Sequence, residues 1–274
     1  MVTETRTSRL RRATSNYLDS LWSRREFAWY MAMGNLRSRN ASTALGLVWW
    51  VLNPLLMGLV YYVVFGIILN VSRDLSYLLS GIFVFYYTST SVTAGANSII
   101  QNTKLLVNLQ FPRLIMPITA LLESAVGFLV SIPALYLIIG LRYGTWPTMQ
   151  FLWLFPLAFV IQSVFNLGFA SLAARLAVPF RDILNLLPHL LRIWLYLSPI
   201  LYSADLFEEK LPEGWAFIAN LNPMVPILGI YRSALLDYPF EQSELIFAAA
   251  WAVVVAVYAI WVFVKFEGKM ARYL

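Results

Sequence analysis

Leu245 to Val264 is an unbroken run of twenty apolar residues. A helix rises 1.5 Å per residue, so a run of that length crosses the ~30 Å hydrocarbon core of a bilayer. A helix that is apolar on every side has no face to give to water, which removes most soluble folds. Five further apolar blocks precede it, at about 45–71, 77–100, 114–141, 149–174 and 183–202, and the sixth spans about 245–265. Only 12% of the 274 residues are charged, against about 25% in a soluble domain. The fold expected is an all-α integral membrane protein with six transmembrane helices. Residues 1–44 form a cytoplasmic arm ending in an amphipathic interfacial helix, and residues 45–274 form the six-helix domain.

Basic residues set the orientation, because they concentrate on the cytoplasmic side of membrane proteins. Arg6, Arg9, Arg11, Arg12, Arg24, Arg25, Arg37 and Arg39 precede the first block. Lys104 and Arg113 follow the second, Arg175 and Arg181 the fourth, and Lys265, Lys269 and Arg272 the last. The opposite side holds Arg73, Arg142, Lys210 and Arg232. With six spans, both termini are expected in the cytoplasm, in a multi-pass protein of the cytoplasmic membrane.

Two segments are neither spans nor simple loops. Residues 15–40 place Leu18, Trp22, Trp29, Met33 and Leu36 at helical spacing beside arginines, the pattern of a helix lying in the headgroup plane. Residues 203–244 are acidic at both ends and apolar in the middle. Asn222-Pro223 suits a helix start, and Met224, Ile227, Leu228, Tyr231 and Leu235 then share one face. Two short re-entrant helices are expected between the fifth and sixth spans, a folded external lid being the alternative.

Polar residues recur within the spans at helical spacing. The second carries Tyr86, Thr90, Thr93, Asn97 and Gln101; the third Thr119, Glu123, Gly127 and Ser131; the fourth Gln162 and Asn166; the fifth Asn185, His189, Arg192 and Tyr196. The first aligns Trp50, Met57, Tyr61 and Phe65, with a distortion expected at Asn53-Pro54. Such groups either hold helices together or line a polar path. Glu123 and Arg192 are the most expensive to insert and are expected to pair at similar depth.

Absences narrow the chemistry. With no cysteine and one histidine, neither thiol chemistry nor a metal site is expected. No glycine-rich phosphate loop is present, so ATP-driven work needs a separate ATPase. A proton-coupled secondary carrier is disfavoured by the lack of an internal repeat. An integral-membrane enzyme acting on polyprenyl-linked glycans would need clustered carboxylates, and the acids here are isolated.

The order of motifs is distinctive: Leu45-Gly46-Leu47-Val48-Trp49-Trp50-Val51-Leu52-Asn53-Pro54-Leu55, Phe111-Pro112-Arg113, Val178-Pro179-Phe180-Arg181-Asp182, Leu197-Ser198-Pro199-Ile200-Leu201-Tyr202 and Asn222-Pro223. Over nearly its whole length the chain resembles the permease subunit of ABC-2-type polysaccharide exporters. This family exports O-antigen, teichoic acid, capsule and galactan. The arginine-rich N-terminus and aromatic-rich spans look most like the permease of cell-wall galactan exporters.

The resemblance implies a six-helix half-transporter that pairs with a second copy of itself and docks two ATP-binding-cassette ATPase subunits. These bind ATP and magnesium, and this chain holds no cofactor. The implied substrate is a polysaccharide on a polyprenyl-diphosphate lipid, with no nucleic-acid partner. Residues 101–113 correspond to the family's coupling helix, with Lys104, Leu105, Leu109, Phe111, Pro112 and Arg113 towards the ATPase. Arg37 and Arg39 become candidates for the diphosphate, since arginine recognises phosphate bidentately. Trp50, Asn53, Tyr61, Phe65, Tyr86, Thr90, Asn97, Glu123, His189, Arg192 and Tyr196 become the candidate channel, in which stiff amphipathic rings touch a moving glycan.

Overall fold

The computed structural model describes residues 15–69, 74–108, 112–144, 148–202 and 221–270. The described residues form helices and connecting turns with no strand. Residues 15–22 are helical (α1). There follow α2 (Arg25–Ala41), α3 (Val48–Tyr61), α4 (Leu75–Gln101), α5 (Thr103–Asn108), α6 (Ile115–Tyr143), α7 (Met149–Ala177), α8 (Ile183–Leu197), α9 (Met224–Leu236) and α10 (Gln242–Met270).

Four stretches are long and apolar enough to cross a membrane: Val48–Ile68, Ile115–Leu141, Met149–Ala177 and Gln242–Phe266. The chain is a multi-pass membrane protein. Two shorter apolar helices, Ile183–Leu197 and Met224–Leu236, accompany them. α4 is 27 residues long, about 40 Å, but Thr88, Ser89, Thr90, Ser91 and Thr93 make its middle more polar. Its setting explains why this is tolerated. α4 packs against α3, α6, α7, α8 and α9, and no residue from Leu75 to Ile100 is exposed. The polar helix is the axis of the bundle.

Small residues let α7 approach its neighbours. A Cβ on Gly95 of α4 would collide with Ala170, and one on Gly168 of α7 would collide with the α10 backbone at Val255. Along the α4–α7 seam, Gln162 Nε2 donates to the Val84 carbonyl and to Thr88 Oγ1, both at 2.9 Å. Tyr87 and Ser163 share a 2.8 Å hydroxyl bond. The polar pair of the fourth span, Gln162 and Asn166, is buried between helices, and the bonds of Gln162 act as glue there. α10 turns Ile246, Phe247, Val253, Val254, Val257, Tyr258 and Trp261 outward, the face expected of a lipid contact.

α3 continues past Pro54 and then widens into a π-helical stretch, Tyr62–Ile68. The distortion expected at Asn53-Pro54 is displaced about two turns onward. The single interfacial helix expected over 15–40 is two helices with a turn at Ser23 and Arg24. Its bundle-facing stripe is Ala28, Ala32 and Leu36, because small residues allow α2 to lie close on α6. Trp22, Trp29 and Tyr30 remain exposed.

Of the two short helices expected after the fifth span, one is α9; residues 203–220, where the other is expected, lie outside the described residues. Asn222 starts α9. Its Oδ1 accepts from the Met224 N–H at 3.0 Å and from Trp194 Nε1 at 2.9 Å, and its Nδ2 donates to the Leu197 carbonyl. The expected face of Met224, Ile227, Leu228, Tyr231 and Leu235 is wholly buried.

Candidate functional site

A cavity of about 940 Å³ opens between α2, α3, α4 and α6. That is the upper part of the range for small-molecule sites, which are usually apolar-walled. Here the walls are polar, in a protein that is apolar almost everywhere else.

α2 supplies Asn35 and Arg39, one turn apart on the face above its buried alanines. α3 supplies Trp50 and Asn53, α4 supplies Tyr86, Thr90 and Asn97, and α6 supplies Glu123; all eight line the cavity. Asn35 Nδ2 donates to Glu123 Oε1 at 2.6 Å. Arg39 Nη1 stands 3.8 Å from Glu123 Oε2, with 62% of its side chain exposed. The same guanidinium lies over the Trp50 ring, 5.5 Å from its centroid. Trp50 in turn rests on Gly127 of α6, where any Cβ would overlap the indole. Asn53 Nδ2 donates to the Tyr86 hydroxyl at 3.2 Å. Thr90 and Asn97 satisfy themselves on the α4 carbonyls of Tyr86 and Thr93.

Six of the eleven candidate channel residues (Trp50, Asn53, Tyr86, Thr90, Asn97 and Glu123) thus share one cavity. Tyr61, Phe65 and Tyr196 form a separate aromatic group. Tyr61 packs edge-on against the other two with ring centroids 6.2 Å away in each case. The Tyr61 and Tyr196 hydroxyls are 3.4 Å apart.

The expected pairing of Glu123 with Arg192 is not found. Glu123 faces Asn35 and Arg39 instead, because α2 packs on α6 while α4 lies between α6 and α8, packing on both. Arg192 lines a smaller cavity of about 230 Å³. Nor does the stripe Asn185, His189, Arg192 and Tyr196 face the interior of this chain. Leu187, Leu191 and Leu195 occupy the packed side of α8, which leaves all four exposed. Of the phosphate candidates, Arg39 reaches the cavity and Arg37 is exposed outside its lining.

On α5, Leu105 packs in part and Leu106 fully onto a cluster with Ile99, Leu114 and Ala28. Lys104, Val107 and Asn108 are the exposed side chains there. Pro112 is buried and Arg113 half-buried. Leu109 and Phe111 lie outside the described residues.

Two participants escaped sequence reasoning. Asn35 had a usable signal, its one-turn spacing from Arg39. Arg232, counted with the loop charges, is only 5% exposed. Its Nη2 donates to the Pro199 carbonyl at 2.6 Å, and its guanidinium stacks 3.4 Å from the Tyr77 ring centroid. Beside it Tyr238 donates to Asp74 Oδ2 at 3.5 Å. Burial first, and then the Asp74 carboxylate, raise the Tyr238 phenol above its usual range.

A family model described as ABC-2 type transporter matches residues 27–236. The O-antigen export system permease protein RfbA of Myxococcus xanthus is 30% identical over 226 residues, covering 82% of this chain and 85% of that protein. The protein of the same name from Klebsiella pneumoniae is 25% identical over 242 residues, covering 88% and 92%.

Proposed function

The chain belongs to the ABC-2 type transporter family, and from that membership we propose that it is the transmembrane subunit of an ATP-driven polysaccharide exporter. The cargo is a glycan carried on a polyprenyl-diphosphate lipid, moved across the cytoplasmic membrane. The observation that carries this reading is the polar cavity beneath α2. A volume of about 940 Å³ walled by carboxamides, hydroxyls, a carboxylate and tryptophan suits a polyhydroxylated sugar with apolar ring faces. Arg39 at its wall suits the phosphate.

The remaining assignments follow from the same reading. Six spans, α4 and α8 among them, place both termini in the cytoplasm. The exposed polar stripe of α8 cannot face lipid without a large penalty, so it faces a second copy of the chain and lines the path between the two. Tyr61, Phe65 and Tyr196 continue that path with aromatic surface. Two ATPase subunits dock on α5 and the N-terminal helices and bind ATP and magnesium. We read the glycan as a galactan, on the arginine-rich N-terminus and aromatic spans.

Depletion of the chain in cells tests the reading. A lipid-linked polysaccharide is expected to accumulate on the cytoplasmic side, and its sugar composition decides the galactan assignment. Purification from native membranes is expected to bring a nucleotide-hydrolysing subunit with it. A chain that elutes alone and whose depletion accumulates no glycolipid is not this exporter.

A further inference from the structure

The two cavities share Tyr86, Ser89 and Thr93, so they lie side by side along α4. Their chemistry differs. The larger carries Glu123 and several carboxamides, a mixture of acceptors and donors suited to hydroxyl groups. The smaller is lined by Arg192 of α8, by the three shared hydroxyl residues of α4, and by apolar side chains such as Met57, Phe85 and Leu191. No carboxylate lines it.

Every polar side chain in the smaller cavity can donate. Tyr86 already accepts from Asn53, which leaves its own O–H free. The Ser89 and Thr93 hydroxyls have no acceptor among the described residues. Arg192 has five N–H donors and, among the described residues, no carboxylate within salt-bridge distance. It lies nine residues into α8, about 14 Å along the helix. A guanidinium at that depth is costly against lipid, and it is tolerated where it faces a polar cavity or meets an anion.

We propose that the Arg192 cavity is a binding site for the phosphate group of an amphiphile. Arg192 and the hydroxyls of Tyr86, Ser89 and Thr93 hold the anionic oxygens, and the apolar wall takes the hydrocarbon beside them. Resting on the functional reading above, the cavity is the second phosphate station of the exported glycolipid. Arg39 is the first. The phosphate leaves the exposed guanidinium beside Glu123 and moves along the shared α4 wall to Arg192, while the sugar occupies the larger cavity.

Binding to the purified transporter complex in phosphatidylcholine nanodiscs tests this, with polyprenyl diphosphate and the uncharged polyprenol of equal chain length as probes. Arg192→Gln is expected to weaken polyprenyl diphosphate binding about tenfold or more, as loss of a charge-assisted hydrogen bond does, and to leave polyprenol binding unchanged. Arg192→Lys is expected to recover much of the loss, with both variants melting as wild type does. Phosphatidylglycerol, the same anion from bulk lipid, is expected to compete poorly.

Equal binding of the diphosphate by wild type and Arg192→Gln overturns the site and leaves the exporter reading standing. Equal loss of both probes shows a structural role and overturns the site. Full competition by phosphatidylglycerol makes it a bulk-lipid contact and overturns the station. Failure of wild type to bind polyprenyl diphosphate at all overturns the exporter reading itself.

Discussion

Glu123 and Arg232 are both buried charges, one near each end of α4, and their surroundings have little in common. Arg232 lies among residues from the start of α4. Its guanidinium is capped by the Tyr77 ring, bonded to the Pro199 carbonyl, and packed against Gly81, where a Cβ would crowd it. Three residues earlier on α9, Gly229 has no Cβ, and the Glu244 carboxylate of α10 fills that place. Little space is left for anything to enter. Glu123 lies on the wall of a cavity that the later half of α4 also lines, with Asn97 and Gln101 at its far end. One of its two partners is an arginine with 62% of its side chain in the open. A charge whose neighbourhood is filled works as a joint between helices. A charge with space beside it is available to a ligand.

The comparison breaks if the two charges respond alike to removal. The largest effect is expected at the filled end. Arg232→Ala leaves the Pro199 carbonyl and the Glu244 region uncompensated, at a cost of about 3 kcal/mol. Thermal unfolding of the purified complex and the level of protein in membranes measure it. Gly127→Leu is next. It drives a side chain into the Trp50 indole at a cost of about 1–3 kcal/mol, and export is expected to fall below what protein level explains, because the cavity wall is rebuilt.

Glu123→Gln sharpens the contrast. A carboxamide oxygen still accepts from Asn35, and an exposed partner such as Arg39 contributes little. Stability is expected to move by less than about 1 kcal/mol while export falls. A melting loss as large as that of Arg232→Ala makes Glu123 a joint as well. The smallest change is expected for Tyr196→Phe. It removes one half of a 3.4 Å hydroxyl contact on an exposed face, within about 0.5 kcal/mol, and keeps the ring that would touch a glycan.

Parts of this were legible along the chain. The start of α9 at Asn222-Pro223 and its buried face follow from a cap and a periodicity, both local properties. So do the ends of the apolar helices, within a few residues. The gathering of Trp50, Asn53, Tyr86, Thr90, Asn97 and Glu123 was legible only as separate stripes. The outward turn of Asn185, His189, Arg192 and Tyr196 was not legible. A polar stripe on a helix with leucines opposite reads the same whether a cavity or a second surface covers it. Arg232 was counted with the external charges because it falls in the connection between the fifth and sixth spans, while the ring that covers it, Tyr77, comes from α4, far away in the chain.

Sequence alone determined that this is a multi-pass helical membrane protein, since hydrocarbon length and charge scarcity are summed along a segment and need no partner. It also carried the family motifs. Only the tertiary structure decided which charges meet. Glu123 joins Arg39 because α2 lies on α6, and it misses Arg192 because α4 lies between α6 and α8. Neighbourhood and rotation of helices are settled by packing: by where Gly127 admits a tryptophan ring, where Gly95 admits α7, and where three leucines turn α8. Those contacts join residues far apart in the chain, and no window of sequence contains both partners.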